Sequence, residues 1–135
     1  MTDLNFEDII GRYFNLNLKK DNYRIYVEEA GQGTPLLCLH TAGSDGRQFR
    51  HILNDKRITN NYRVIVFDLP WHGKSNPPEG YELKDYKLTT NLYKEIIMSF
   101  CKQYKLIDPV IMGCSMGGRV VLHLALEHCD YFKAV

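Results

Sequence analysis

The sequence predicts an α/β fold: a mostly parallel sheet with helices on both faces, opening with an antiparallel hairpin. Three observations lead there. Short uninterrupted apolar runs, LLCL at 36–39, RVIVF at 63–67 and PVIM at 109–112, have the composition of strands covered on both faces. Segments of helical periodicity alternate with those runs, the order that builds a parallel sheet. Ahead of them, YFNLNL at 13–18 and YRIYV at 23–27 alternate with period two.

The hairpin comes first, its two runs separated by the turn-forming Lys19-Lys20-Asp21-Asn22. Gly31-Gln32-Gly33-Thr34-Pro35 is a loop leading into the first buried strand. Residues 44–55 carry a short helical pattern with Phe49, Ile52 and Leu53 on one side. After the second buried strand, residues 68–80 hold three of the five prolines and two glycines and therefore form a loop. Residues 83–105 are the longest helix candidate, because Leu88, Leu92, Ile96 and Phe100 recur every four residues with Tyr93 and Ile97 beside them. The third buried strand precedes a helix over 116–128, apolar at Val120, Val121, Leu124 and Ala125. Tyr131 to Val135 reads as the approach to a further strand.

The 135 residues allow one domain, and 44% hydrophobic with 24% charged residues is globular composition. Seventeen Lys and Arg against 16 Asp and Glu leave a net charge of +1, without the basic excess of a nucleic-acid or anionic-membrane binder. No run approaches the roughly 18 apolar residues of a membrane span. The N-terminus carries Asp3, Glu7 and Asp8 where a secretory signal has a basic start, so a cytoplasmic location is expected. Free thiols are expected with it, since Cys38, Cys101, Cys114 and Cys129 show no C-x-x-C spacing. No metal site is expected: His40, His51, His72, His123 and His128 lack H-E-x-x-H spacing. Nor is a cofactor. Gly73-Lys74-Ser75 has Asp68 where a phosphate-binding loop needs its first glycine, and Pro77-Pro78 where it needs a helix. Gly31-Gln32-Gly33 precedes a strand and has Leu36 in place of a third glycine.

The chemistry concentrates in Gly113-Cys114-Ser115-Met116-Gly117-Gly118, a G-x-S-x-G between a predicted strand and a predicted helix. A turn that tight strains the serine backbone and demands small neighbours two residues to either side. It lifts the serine oxygen out of the sheet at the head of a helix, where backbone N–H groups can stabilise an oxyanion. Cys114, beside the serine, is read as packing against the turn rather than as a reactive thiol. Two more motifs directly follow strands: His40-Thr41-Ala42-Gly43, and Asp68-Leu69-Pro70-Trp71-His72-Gly73-Lys74-Ser75.

Three motifs in this order, each at a strand end, resemble the α/β-hydrolase fold superfamily, whose patterns are H-G-x-G, D-x-x-G-x-G-x-S and G-x-S-x-G. The resemblance runs from about Tyr13 to the C-terminus. It implies that Ser115 is the catalytic nucleophile and that the backbone N–H groups of Ala42 and Met116 form the oxyanion hole. It makes His40 structural rather than the catalytic base, and Asp68 and Ser75 loop-fixing residues. A serine at 115 disfavours the aspartate chemistry of epoxide hydrolases and dehalogenases. Thr41 and Trp71 stand where the family usually has glycine, so the oxyanion loop is expected to differ in shape, and Trp71 is expected to pack rather than to line a pocket.

In this family the triad order is Ser, then Asp or Glu, then His. Only 20 residues follow Ser115, and their His123 and His128 lie on a helix leading away from it. The expectation is therefore that residues 1–135 are the N-terminal portion of one hydrolase domain, ending before the last strands, the lid, the acid and the base. Such a chain alone is expected to be close to inactive, with its 109–112 strand at or next to an open sheet edge. In the complete protein a small-molecule acyl substrate is expected, a carboxylic ester or related compound; acyl transfer and perhydrolysis would use the same front half. The alternative is a non-catalytic hydrolase-like module that pairs with a partner through that edge. The sequence sets no oligomeric state.

Overall fold

A computed structural model describes residues 4–135. Among the described residues five strands form one mixed sheet in the order β1-β2-β4-β3-β5. Strands β1 (Ile10–Leu18) and β2 (Asp21–Ala30) are the antiparallel hairpin, and β2 also runs antiparallel to β4 (Tyr62–Phe67). The remaining pairings, β4 with β3 (Thr34–Leu39) and β3 with β5 (Val110–Gly113), are parallel. The hairpin turn is tighter than the four turn-forming residues suggest. Asp21 and Asn22 pair with Leu18 and Asn17, leaving Lys19 and Lys20 to make the turn, with Lys19 at φ 55°.

Alternation within each buried strand sorts its residues between two cores. Leu37, Leu39, Ile65 and Phe67 face one side with the hairpin residues Leu16, Ile25 and Val27. On that side pack helices α3 (Thr90–Gln103) and α4 (Met116–Glu127), with Ile96, Ile97, Phe100, Val120, Val121 and Leu124 buried. Phe100 stacks on Phe67 at 4.4 Å and meets Phe14 of β1 edge-on at 5.8 Å, which ties the hairpin to α3. Leu36, Cys38, Val64 and Val66 face the other side, where a 3₁₀ turn (Gly46–Phe49) and the short helices α1 (Arg50–Asn54) and α2 (Lys56–Thr59) bring Phe49 and Leu53. Burial in these cores pushes the thiols of Cys38 and Cys101 up to about 12. Both thiols are free, as are those of Cys114 and Cys129.

The expected helix over 83–105 starts seven residues late, at Thr90. Residues 76–89 are irregular apart from one 3₁₀ turn, Tyr81–Leu83, and Leu83 is 93% exposed. The apolar series begins at Leu88, but helix needs a start signal, and Thr89 provides it: its Oγ1 accepts from the Leu92 N–H at 3.1 Å. At the far end, Lys105 takes φ 56°, and the Leu106 and Lys105 N–H groups close on Cys101 O and Lys102 O. This is the bonding of a Schellman stop.

Past α4 the chain returns to the sheet. The Ile111 N–H donates to Ala134 O at 3.0 Å and the Lys133 N–H to Pro109 O at 2.9 Å, a parallel bridge on the outer side of β5. Among the described residues β5 thus lies next to the sheet edge, and no helix is long and apolar enough to cross a membrane.

Candidate active site

The loops leaving the carboxyl ends of the parallel strands β4, β3 and β5 gather on one rim of the sheet. In register, Leu39 at the end of β3 faces Gly113 at the end of β5. The Cys114 N–H then reaches back to Leu39 O at 3.1 Å, so the chain crosses from strand to helix with one bond still anchoring it. Ser115 sits at φ 53°, ψ −111°, a conformation strained for any residue with a Cβ. Steric room decides the neighbours. A Cβ on Gly113 would lie 2.3 Å from the Gly117 backbone carbon, and one on Gly117 would lie 2.3 Å from Leu39 O. Only glycine at both positions lets the first turn of α4 close against the ends of β3 and β5.

Ser115 is exposed at the head of α4, and its side chain makes no capping bond to that helix. Its carbonyl takes the Arg119 N–H at 2.9 Å, and the Gly117 N–H goes to Cys114 O at 2.9 Å. Met116 occupies the first helical position, where an N–H has no intrahelical partner. Cys114 is exposed, which corrects the expectation that it packs against the turn.

Ala42 lies exposed in the turn directly after β3. The Thr41 N–H is taken by Gln48 Oε1 at 2.9 Å, and Gly43 at φ 67° turns the chain, so the loop differs from a glycine-rich one by using a side chain to fix its first N–H. Ala42 and Met116 therefore follow the ends of adjacent strands, Ala42 in a turn and Met116 at the start of α4.

Two buried groups set this rim. His40 is fully buried; its Nδ1–H donates to Thr41 O at 2.8 Å and its Nε2 accepts the Leu69 N–H at 3.1 Å. Both ring nitrogens are occupied, which fits the structural role expected of it. Burial, the dominant cause, and the neighbouring His72 lower its pKa, against the raising effects of the Thr41 bond, Asp68 and Asp45. Asp68 is the second. Its carboxylate accepts the Gly46 N–H at 2.7 Å and the Lys74 N–H at 2.8 Å, joining the loops after β3 and β4. Ser75 Oγ donates to Asp68 O at 2.6 Å and accepts the Tyr26 N–H at 2.9 Å, carrying the brace on to β2.

Trp71 packs on one side only: its ring stacks on Tyr86 at 5.0 Å and meets Tyr81 edge-on at 5.1 Å, but it stays exposed rather than buried. It does so at φ 68°, which explains why glycine is usual at this position. Sequence reasoning missed Gln48 and Asp45. Asp45 is buried, caps the 3₁₀ turn and is forked by Arg47, which holds its carboxyl below the usual range. The signal was local: an aspartate two residues before Arg47 is a turn-capping pattern.

Among the described residues no hydrogen bond joins Ser115 to any of the remaining histidines. His51 is on α1, across the sheet; the His72 ring sits 2.9 Å from Pro70 O. His123 and His128 lie about 12 and 20 Å along the axis of α4 from its head.

An open α/β sheet with its loops gathered at the carboxyl ends of adjacent parallel strands defines the class of protein. Within that class, the model of the α/β hydrolase fold matches residues 34–135, and the chain belongs to that family. It is 33% identical over 95 residues to the magnesium-chelatase 30 kDa subunit of Rhodobacter capsulatus, covering 70% of this chain and 31% of that protein. It is 28% identical over 107 residues to a pimeloyl-[acyl-carrier protein] methyl ester esterase of Vibrio vulnificus, covering 79% of this chain and 37% of the esterase. Among solved structures, an epoxide hydrolase from Vigna radiata superposes with a TM-score of 0.78 at 21% identity, over 94% of this chain and 38% of its own. The chain thus spans about a third of the length of the relatives it matches.

Proposed function

We propose that the chain is the nucleophile-bearing part of a serine hydrolase acting on carboxylic esters or related acyl compounds. The observation that carries this reading is the strained, exposed Ser115 at the passage from β5 to α4. Strain of that kind persists only where the surroundings enforce it, and here two glycines and the Leu39 carbonyl do.

Ser115 Oγ attacks the substrate carbonyl and gives up its proton to a base. The carbonyl π electrons move to oxygen, which the Ala42 and Met116 N–H groups hold. Collapse expels the alcohol, which takes the proton, and leaves an acyl group on Ser115; water then repeats the sequence to release the acid. The base and the acid that orients it come from later in a complete protein, in the family's Ser, acid, His order. Residues 1–135 are in this reading the front of one hydrolase domain, and by themselves close to inactive. The match to a methyl ester esterase supports ester chemistry. Serine in place of an aspartate argues against epoxide opening.

In the complete protein, Ser115→Ala should lower turnover of p-nitrophenyl butyrate by about 10⁶-fold. Turnover retained by that variant would remove Ser115 from the chemistry. A wild-type protein that turns over no acyl ester would favour the non-catalytic module that pairs through the edge beside β5.

A further inference from the structure

Trp71 combines two properties that packing alone does not require. It holds φ 68°, where a Cβ is costly, four residues past the end of β4. It also remains 37% exposed on the rim that carries the Ala42 and Ser115 loops, although Tyr86 covers one ring face and Tyr81 one edge. Tyr81, in contact with the Trp71 ring, is itself exposed and extends the aromatic surface. The segment is not loosely attached. The Leu69 N–H bonds to His40, the residue next to the oxyanion loop, and the His40 and His72 rings lie 5.1 Å apart, so the position of Trp71 is fixed relative to Ala42.

We infer that Trp71, backed by Tyr86 and flanked by Tyr81, is a specificity wall that takes the apolar arm of the ester, whether acyl or alcohol. This rests on Ser115 being the residue that is acylated. The strand that leads to Trp71, β4, is one strand from β3 and two from β5, about 5 and 10 Å between strands at ordinary spacing, so the loops after the three strands share one rim. A rigid ring held by stacking presents its free surface without losing rotamer freedom on binding.

Trp71 is the single tryptophan of these 135 residues, and its share of the complete protein's emission is the part that Trp71→Phe removes. The complete protein is titrated with octanoate and with 1-octanol, using acetate and ethanol as controls and Trp71→Phe to isolate the signal. A saturable blue shift from octanoate assigns the wall to the acyl arm, and one from 1-octanol to the alcohol arm. Trp71→Gly suits the left-handed backbone and keeps the loop; by competition with a p-nitrophenyl ester it should bind the active probe about tenfold more weakly. No saturable change with either eight-carbon probe, or unchanged binding by Trp71→Gly, overturns the inference. The two readings separate cleanly. Ser115→Ala that keeps turnover defeats the nucleophile but leaves the fluorescence result standing, whereas a silent Trp71 in an enzyme that needs Ser115 defeats only the wall.

Discussion

At His40, one ring does the work of two struts. Its Nε2 must stay unprotonated to accept the Leu69 N–H, while Nδ1–H holds Thr41 O. Burial depresses its pKa in the folded protein below the ordinary 6.5, with Asp68, Asp45 and His72 as the facing charged or titratable groups. The unfolded chain then takes up the proton first as pH falls. The His40 contribution is complete above pH 6.5 and declines as the pH drops from there through the folded pKa. Urea midpoints at pH 7.5 and 5.5 should show that loss in wild type and a smaller one in His40→Asn. Equal losses would show that His40 does not titrate between the two states. Gly117 gives a steric test at the same scale. Gly117→Ala places a Cβ 2.3 Å from a backbone oxygen that has no freedom to move, and should cost about 2–3 kcal/mol or more by denaturant unfolding. A loss under about 0.5 kcal/mol, the usual range of an innocuous surface change, would mean that the turn is looser than its geometry.

Among the elements, the buried strands and the bounds of α4 were legible and the start of α3 was not, for a physical reason. An apolar run such as RVIVF needs two covered faces and turns at its ends, and both are written locally; the observed strand Tyr62–Phe67 differs from it by one residue. The start of α3 depended instead on where a cap could form. The four-residue spacing through Leu88 suited a longer helix, but Thr89 took the cap and left Leu83 exposed. Ser115 and its two glycines were visible because tight turns restrict residue type. The bond from Thr41 N–H to Gln48 was invisible, because nothing local obliges a glutamine to fold back over seven residues. The end of α3 gives a test. Lys105 occupies a position that glycine fills at no steric cost. Lys105→Gly should therefore raise stability by about 0.5–1 kcal/mol, after the entropy that glycine adds to the unfolded chain. A destabilised variant would indicate that the lysine side chain contributes more than its backbone costs.

For the whole molecule, the sheet order explains why three separate motifs share one rim. Strands β4, β3 and β5 are adjacent and parallel, so residues that follow each of them meet although 28 and 47 positions separate Asp68 from His40 and Ser115 from Asp68. The antiparallel hairpin widens the sheet and braces the β4 loop through Tyr26 and Ser75 without approaching the elbow. The central claim is that this arrangement makes Ser115 the group that is acylated. Its most direct test is covalent labelling: the protein isolated from its own source is treated with a fluorophosphonate, digested and sequenced by mass spectrometry. An adduct on Ser115, absent after heat denaturation before treatment, is the predicted result. A protein that turns over esters yet carries its adduct on another residue, with Ser115 unmodified, would contradict it.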